Sequence, residues 1–282
     1  MMKELTEKAR VFQALHHAAA FVLPNAWDAI SARIFEEAGF PAIGTTSAGM
    51  AWSLGYADGQ RVPWDELLQA LRRIVARVQI PVSADLESGY GHTPQEIVEN
   101  VRQLMDIGIV GINIEDFTGR AEQPLEEAER QAEKIAAIRA LAATSGVPFV
   151  INARIDVLHP GIQTTDDQLA ETFRRAVLYR QAGADCIFVF GMHDGDTIRK
   201  LAQGIEGPLN IMASPGTPSV TDLASWGVTR ISIGPAAIKV ALGAVKQIAH
   251  ELSSSRTFAS LAQPSLSYAE INNYFMARRD PS

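Results

Sequence analysis

A chain of 282 residues, 47% of them hydrophobic, is long enough to bury the core of one large domain or two ordinary ones. Its 32 acids against 25 bases leave a formal charge of −7 with no long run of either sign, which argues against nucleic-acid and membrane partners. The single cysteine, Cys186, excludes an intrachain disulfide framework and fits a reducing, cytoplasmic setting, and no uninterrupted apolar stretch reaches the roughly 18 residues of a membrane span.

The chain opens on an amphipathic, charged helix that runs through about Leu15. Ala20 to Leu23 suits a strand, Pro24-Asn25 ends it, and a helical pattern follows from Ala26 to Ala38, closed by Gly39. The same order then repeats. Further strands are expected at Ala42 to Thr45, Pro81 to Ala84, Gly111 to Ile114, Pro148 to Asn152, Asp185 to Phe190, Pro208 to Met212 and Thr229 to Ile233, making eight. Between and after them the spacing predicts helices over Trp64 to Arg77, Thr93 to Ile107, Leu125 to Ala143, Asp166 to Ala182, Gly195 to Ala202, Ser219 to Ser225 and Pro235 to Glu251. The strands are too uniformly apolar to be half exposed, as in a parallel sheet covered on both faces. Eight such units, with no glycine-rich dinucleotide fingerprint after the first strand, predict a (β/α)8 barrel of the TIM type over residues 1–252. Residues 253–282 form a C-terminal extension, with short helices at Arg256 to Leu261 and Tyr268 to Ala277. Its apolar stripe of Leu266, Tyr268, Ile271, Tyr274 and Phe275 is expected to pack on the barrel or on a neighbouring subunit.

In a barrel of this kind functional groups come from the C-terminal strand ends and the loops that follow. Those positions hold Asn25 and Asp28, then Thr45, Thr46 and Ser47, then Asp85 and Glu87, then Glu115 and Asp116, then Asn152, Arg154 and Asp156, and finally Asn210 and Ser214. Asp85 and Glu87, two apart, point to one side of an extended chain. With Glu115 they put three carboxylates in one cleft, which is costly unless a cation or protons neutralise them. Oxygen ligands alone select Mg2+ or Mn2+ over zinc. Asp116 is expected to cap or pair. Arg154 can either bridge Glu115 or Glu87 or clamp a substrate carboxylate. Thr46-Ser47-Ala48-Gly49 is either a tight turn or a set of backbone donors for an enolate or carboxylate oxygen.

These motifs, in this order, resemble the isocitrate lyase / phosphoenolpyruvate mutase superfamily: Pro-Asn-Ala-Trp-Asp-Ala (24–29), Gly-Tyr-Ala-Asp-Gly (55–59), Asp-Leu-Glu-Ser-Gly-Tyr-Gly (85–91), Ile-Glu-Asp (114–116), Asn-Ala-Arg-Ile-Asp (152–156) and Leu-Asn-Ile-Met-Ala (209–213). The resemblance implies metal residues at Asp85, Glu87 and Glu115, a gating-loop aspartate at Asp58, a substrate arginine at Arg154 and 2-oxo acid-binding amides near Ser47 and Ala48. It also implies a homotetramer in which a C-terminal helix is exchanged between barrels. The chain departs from the lyases in the loop after Glu115-Asp116, where Phe117 to Pro124 lacks the lyase-type cysteine, lysine and histidine. The phosphonate-processing members' lysine and asparagine are missing there too.

The expected function is a Mg2+-dependent lyase or decarboxylase that cleaves a C–C bond of a small 2-oxo or 2-hydroxy di- or tricarboxylate through an enolpyruvate-like intermediate. Thr46, Ser47, Ala48, Asp85, Arg154 and Asn210 would bind the substrate; Asp58, Arg120, Glu122 or a loop water would move protons. Phosphonopyruvate mutase or hydrolase chemistry is the alternative. A non-catalytic metabolite-binding barrel is a third reading.

Overall fold

The computed structural model describes residues 2–160, 162, 167–191, 194–262 and 266–276. Its parallel strands are β1 (Phe21–Leu23), β2 (Asn25–Ala26), β3 (Ile43–Thr45), β4 (Val82–Asp85), β5 (Gly111–Glu115), β6 (Val150–Ile155), β7 (Cys186–Val189), β8 (Leu209–Met212) and β9 (Arg230–Ser232). They form one sheet in the order β1-β9-β8-β7-β6-β5-β4-β3-β2. Only Pro24 separates β1 from β2, so the sheet closes and the expected (β/α)8 barrel is observed. The first barrel strand is split because proline has no N–H to donate. Asn25 staples this seam: its Nδ2 donates to Thr45 O at 2.8 Å, and its Oδ1 accepts the amides of Ile233 and Gly234, each at 2.9 Å. The chain therefore continues as strand past Pro24, where a helix from Ala26 was expected.

The helices are α1 (Met2–Leu15), α2 (Ala29–Glu37), α3 (Ser47–Leu54), α4 (Trp64–Val75), α5 (Pro94–Asp106), α6 (Ala128–Ser145), α7 (Gln168–Gln181), α8 (Gly195–Gly204), α9 (Val220–Ser225), α10 (Ala236–Ser254) and α11 (Tyr268–Met276). Asp28, a candidate site residue by sequence, instead caps α2, its Oδ1 accepting the Ser31 amide at 2.8 Å while the Ser31 side chain accepts the Asp28 amide. Two predicted helix ends, Asp166 and Ala277, lie outside the described residues. A 3-10 turn at Ala259–Ala262 replaces the short helix expected from Arg256.

Across the barrel interior the side chains fall into layers. At the N-terminal end, α1 closes the floor with Phe12, whose ring leaves no room for a side chain at Gly111; a Cβ there would lie 2.9 Å from Phe12 Cε1. The next layer is polar where barrels usually hold branched aliphatics: Ser83, Asn113, Asn152, Asn210 and Arg230 are all buried. Arg230 sits 5.7 Å above the Phe12 ring.

The C-terminal elements behave differently from the barrel helices. Ile238 is the sole buried residue of α10, while Val240 and Val245 are 75% and 60% exposed. Helix α11 returns to the barrel wall, where Arg33 Nε donates to Tyr274 O at 3.0 Å and the Arg77 guanidinium lies 5.9 Å from the Phe275 ring centre. No helix among the described residues is long and apolar enough to cross a membrane.

Candidate active site

The C-terminal mouth of the barrel encloses a cavity of about 210 Å³, lined on one side by Asp58, Asp85, Glu87 and Glu115. Three of these acids are placed by the strands: Asp85 ends β4, Glu115 ends β5, and Glu87 follows β4 by two residues. Parallel register sets Asp85 opposite Asn113 and Glu115 opposite Arg154.

The segment expected to be a turn at Thr46 to Gly49 is the first turn of α3, with Thr46 as its cap. The Ser47 amide donates to Asp85 Oδ2 at 3.0 Å and the Gly49 amide to Thr46 Oγ1 at 3.4 Å. The Ala48 amide makes no hydrogen bond among the described residues, so the positive end of α3 presents one unspent donor beside the acids. Asp85 is additionally fixed through its own amide, which donates to Thr45 Oγ1 at 2.9 Å.

Arg154 meets acids on both sides: Nη1 lies 2.7 Å from Glu115 Oε2, and Nη2 lies 2.6 Å from Asp156 Oδ1. The bridging role left open by the sequence is thus present, and the guanidinium still lines the cavity. Burial works against its charge, yet Asp156 and Glu115 hold its pKa above the ordinary value. Glu115 shifts the other way. Burial, with Asp156, Asp85 and Glu87 nearby, raises its pKa despite Arg154. Glu87 is raised to about 7, chiefly by burial and then by Asp85 and Asp58. Asp58 is also raised, by burial of its carboxylate and by Asp85, while Ser47 and the Gly59 amide oppose the shift.

Backbone strain is concentrated where the loop carrying Asp58 meets the segment after β4. Gln60, Glu87 and Tyr90 all have positive φ, at 55°, 50° and 55°. They are tied to one another: Glu87 Oε2 accepts the Gln60 amide at 2.7 Å, Glu87 Oε1 accepts the Tyr90 hydroxyl at 2.8 Å, and Gln60 Oε1 accepts the Tyr90 amide at 2.7 Å.

The opposite wall is aromatic. His159 stacks between Phe117 and Phe190 at 5.1 and 5.2 Å, and the Arg154 guanidinium lies 3.9 Å from the Phe190 ring centre. His159 Nδ1 is 2.7 Å from Pro160 O, an acceptor, so Nδ1 donates there. Sequence reasoning missed His159. The available signal was its position five residues beyond Arg154, in the loop leaving the same strand end.

Three sequence candidates are not at this cavity. Arg120 lines a neighbouring cleft of about 580 Å³, and its Nη2 donates to Gln123 Oε1 at 3.2 Å. Glu122 is exposed on the same loop. Local hydrogen bonds hold the segment that carries both, with Thr118 Oγ1 accepting the Arg120 amide and donating to Gln123 O. Asn210 is wholly buried one layer below the cavity, with its Nδ2 donating to Ser232 Oγ at 3.3 Å; two residues further along β8, Met212 is the lining side chain. Asp116 pairs as expected, with Arg175 Nη1 and the Tyr179 hydroxyl each 2.8 Å from its Oδ2. Cys186 is buried, and burial pushes its thiol up to about 12, as for a packing residue.

No group of three or more acid, histidine or cysteine side chains among the described residues is placed to hold a metal ion by itself. The donor set nevertheless fits Mg2+, which keeps several waters and takes one or two carboxylates rather than a full protein shell. Four acids face the cavity against one guanidinium already shared with Asp156, so a divalent cation would offset otherwise uncompensated negative charge. Asp85 would hold it directly, and Glu87 and Glu115, whose oxygens already meet Gln60, Tyr90 and Arg154, would reach it through water.

A closed parallel barrel with acids at neighbouring strand ends, a helix N-terminus and an arginine around one mouth defines a member of the isocitrate lyase / phosphoenolpyruvate mutase superfamily. Within it the chain belongs to the phosphoenolpyruvate phosphomutase family, whose model matches residues 12–253. An uncharacterized protein of Mycobacterium tuberculosis (strain ATCC 25618 / H37Rv) is 37% identical over 264 residues, covering 92% of this chain and 94% of that protein. The 2,3-dimethylmalate lyase of Eubacterium barkeri is 26% identical over 280 residues, covering 94% and 92%. A crystal structure of phosphonopyruvate hydrolase in complex with oxalate and Mg2+ superposes with a TM-score of 0.82 at 26% identity, covering 95% of this chain and 94% of that one.

Proposed function

We propose that the protein is a Mg2+-dependent lyase or decarboxylase that cleaves a C–C bond of a small 2-oxo or 2-hydroxy di- or tricarboxylate, leaving an enolpyruvate-like fragment. The observation that carries this reading is the convergence on one cavity of the acids Asp58, Asp85, Glu87 and Glu115, the unspent Ala48 amide and Arg154. When bound, Mg2+ would neutralise the acids and polarise the substrate's oxygens. The chain's own groups do the rest. The Ala48 amide, at the positive end of α3, donates to the oxygen on which negative charge develops. Arg154 binds the carboxylate while held by Glu115 and Asp156. Asp58, whose carboxyl is pushed above its ordinary range by burial and by Asp85, is the group at the cavity that returns a proton to the enolate carbon. The aromatic wall excludes water from that carbon.

Among these chemistries decarboxylation is preferred, because residues 117–124 lack both the lyase-type cysteine, lysine and histidine and the phosphonate-type lysine and asparagine, and loss of CO2 needs only the enolate sink followed by protonation. The exposed α10 and α11 surfaces support a homo-oligomer, a dimer of dimers that exchanges C-terminal helices, which sedimentation would reveal as a tetrameric mass.

The experiment is an assay with Mg2+ and oxaloacetate, methylisocitrate, alkylmalates and phosphonopyruvate, following pyruvate, glyoxylate and phosphate. A carboxylate substrate should release a 2-oxo product, and Asp85→Ala should abolish both turnover and Mg2+-dependent oxalate binding without unfolding. Phosphate from phosphonopyruvate would replace the reading with P–C bond chemistry. Oxalate binding without turnover of any compound would make the barrel a binding protein.

A further inference from the structure

Asn113 lies in the middle of β5, where a barrel normally packs an aliphatic side chain, and its surroundings fix which way its amide faces. Its Oδ1 accepts two hydrogen bonds, from Asn152 Nδ2 at 2.8 Å and from Arg230 Nη2 at 3.0 Å. A guanidinium only donates, so the atom it meets on Asn113 must be the oxygen, and the other branch must be Nδ2. Asn113 is 6% exposed and lines the cavity, and Nδ2 makes no hydrogen bond among the described residues. The register sets it directly beside Asp85.

Arg230 is built into this arrangement at a cost. It is wholly buried, and among the described residues it forms no ion pair and its Nε and Nη1 have no hydrogen-bond partner. Burial lowers its pKa to about 10, which leaves it charged at neutral pH. Removing a lone buried charge usually relieves a folded protein. A residue that only filled the barrel would be better aliphatic. What the guanidinium does, from below, is hold the Asn113 oxygen down.

We infer that Asn113 is a ligand-binding residue whose Nδ2 donates to an oxygen of a small carboxylate in the cavity, and that Arg230 and Asn152 are the positioning residues that set its orientation. The inference rests on the reading that this cavity binds a small oxyacid, and it adds a neutral donor on the β5 side of Asp85 to the Ala48 amide and Arg154, where Asp85, Glu87 and Glu115 offer only acceptors when ionised.

The test combines calorimetry of oxalate binding in the presence of Mg2+ with NMR of the Asn113 side-chain amide. Asn113→Ala should weaken oxalate about tenfold or more, the loss expected for a hydrogen bond to a charged group. Asn113→Asp, which keeps an acceptor for Arg230 but cannot donate, should weaken oxalate at least as much while retaining Mg2+ affinity. Arg230→Met should also weaken oxalate, and by less when Asn113 is already alanine, because its effect runs through that side chain. Melting curves show whether each variant is folded. An Asn113→Ala protein that melts lower but binds oxalate within about twofold of the parent would overturn the proposal, leaving Asn113 a purely structural group. In the ligand-free protein the Asn113 amide protons should exchange rapidly with solvent and shift when Mg2+ and oxalate are added. Slowly exchanging protons would overturn the proposal even if the parent bound no oxalate, an outcome that would separately remove the proposed function.

Discussion

Acidification should destabilise the protein from its barrel floor, and His16 gives the size of the effect. Its ring meets Phe12 and Phe21 edge-on at 4.9 and 5.1 Å, its Nδ1 is 2.9 Å from Phe12 O, and its Nε2 is buried without a partner. Burial, and then the charge of Arg230, lowers its pKa from 6.5 to about 3. The folded state therefore keeps His16 neutral where the unfolded chain binds a proton. Its contribution is complete above pH 6.5 and is lost as pH falls from there toward about 3. At about 1.4 kcal/mol per pH unit, the loss is on the order of 2 kcal/mol by pH 5. Glu87 acts in the opposite sense: its pKa is raised to about 7, so it favours the folded state at low pH and loses that contribution as pH rises through 7. The slope of the parent protein alone is thus ambiguous. Urea midpoints at pH 7.5 and 5 for the parent and for His16→Leu isolate the histidine, and the parent should lose roughly 2 kcal/mol more than the variant between the two conditions. Equal losses would refute the reasoning, since no other group changes between the two proteins.

Two further perturbations probe the frame around the site. Asp116→Asn removes the charge that meets Arg175 and Tyr179 in a buried cluster, and should cost about 3 kcal/mol in a denaturant titration; a change under about 1 kcal/mol would mean that Glu171 alone satisfies Arg175. Gly191 has φ +99°, and a Cβ there would lie 2.3 Å from Leu158 O, against the loop that carries His159. Gly191→Ala should cost about 2 kcal/mol and weaken oxalate binding together with stability. Unchanged binding would detach the aromatic wall from the site.

The barrel was readable because each βα unit carries its own punctuation: an apolar run, a polar lip, an amphipathic helix and a glycine, as at Gly39, Gly108, Gly183 and Gly227, all of which have positive φ. What escaped depends on contacts between units. Helix α3 begins without any loop after β3, and its small residues, Ser-Ala-Gly-Met-Ala, show no polar face to announce a helix; its start is fixed by its own cap, Thr46, and by Asp85 of the next strand, which accepts the Ser47 amide. Past Pro24 the strand persists because Asn25 is bonded to the loop after β9, more than 200 residues away. The acids Asp85, Glu87 and Glu115 and the arginine at 154 could be grouped from strand ends alone, but depth could not. A two-residue step along β8 exchanges Asn210 for Met212 at the cavity wall, and nothing in the local pattern says which of the two reaches it.

Asn113 and Arg230 show the same limit from the other side. Alternation in a buried strand predicts aliphatic residues at both positions, so polar ones read locally as noise in an otherwise apolar run. Their meaning lies in a hydrogen bond between β5 and β9, 117 residues apart in sequence and on opposite sides of the barrel order. A buried guanidinium with two unsatisfied nitrogens opposes folding, and an asparagine held by two donors has one branch left to offer. Stability favours neither residue at these positions, whereas an oriented donor beside Asp85 requires both.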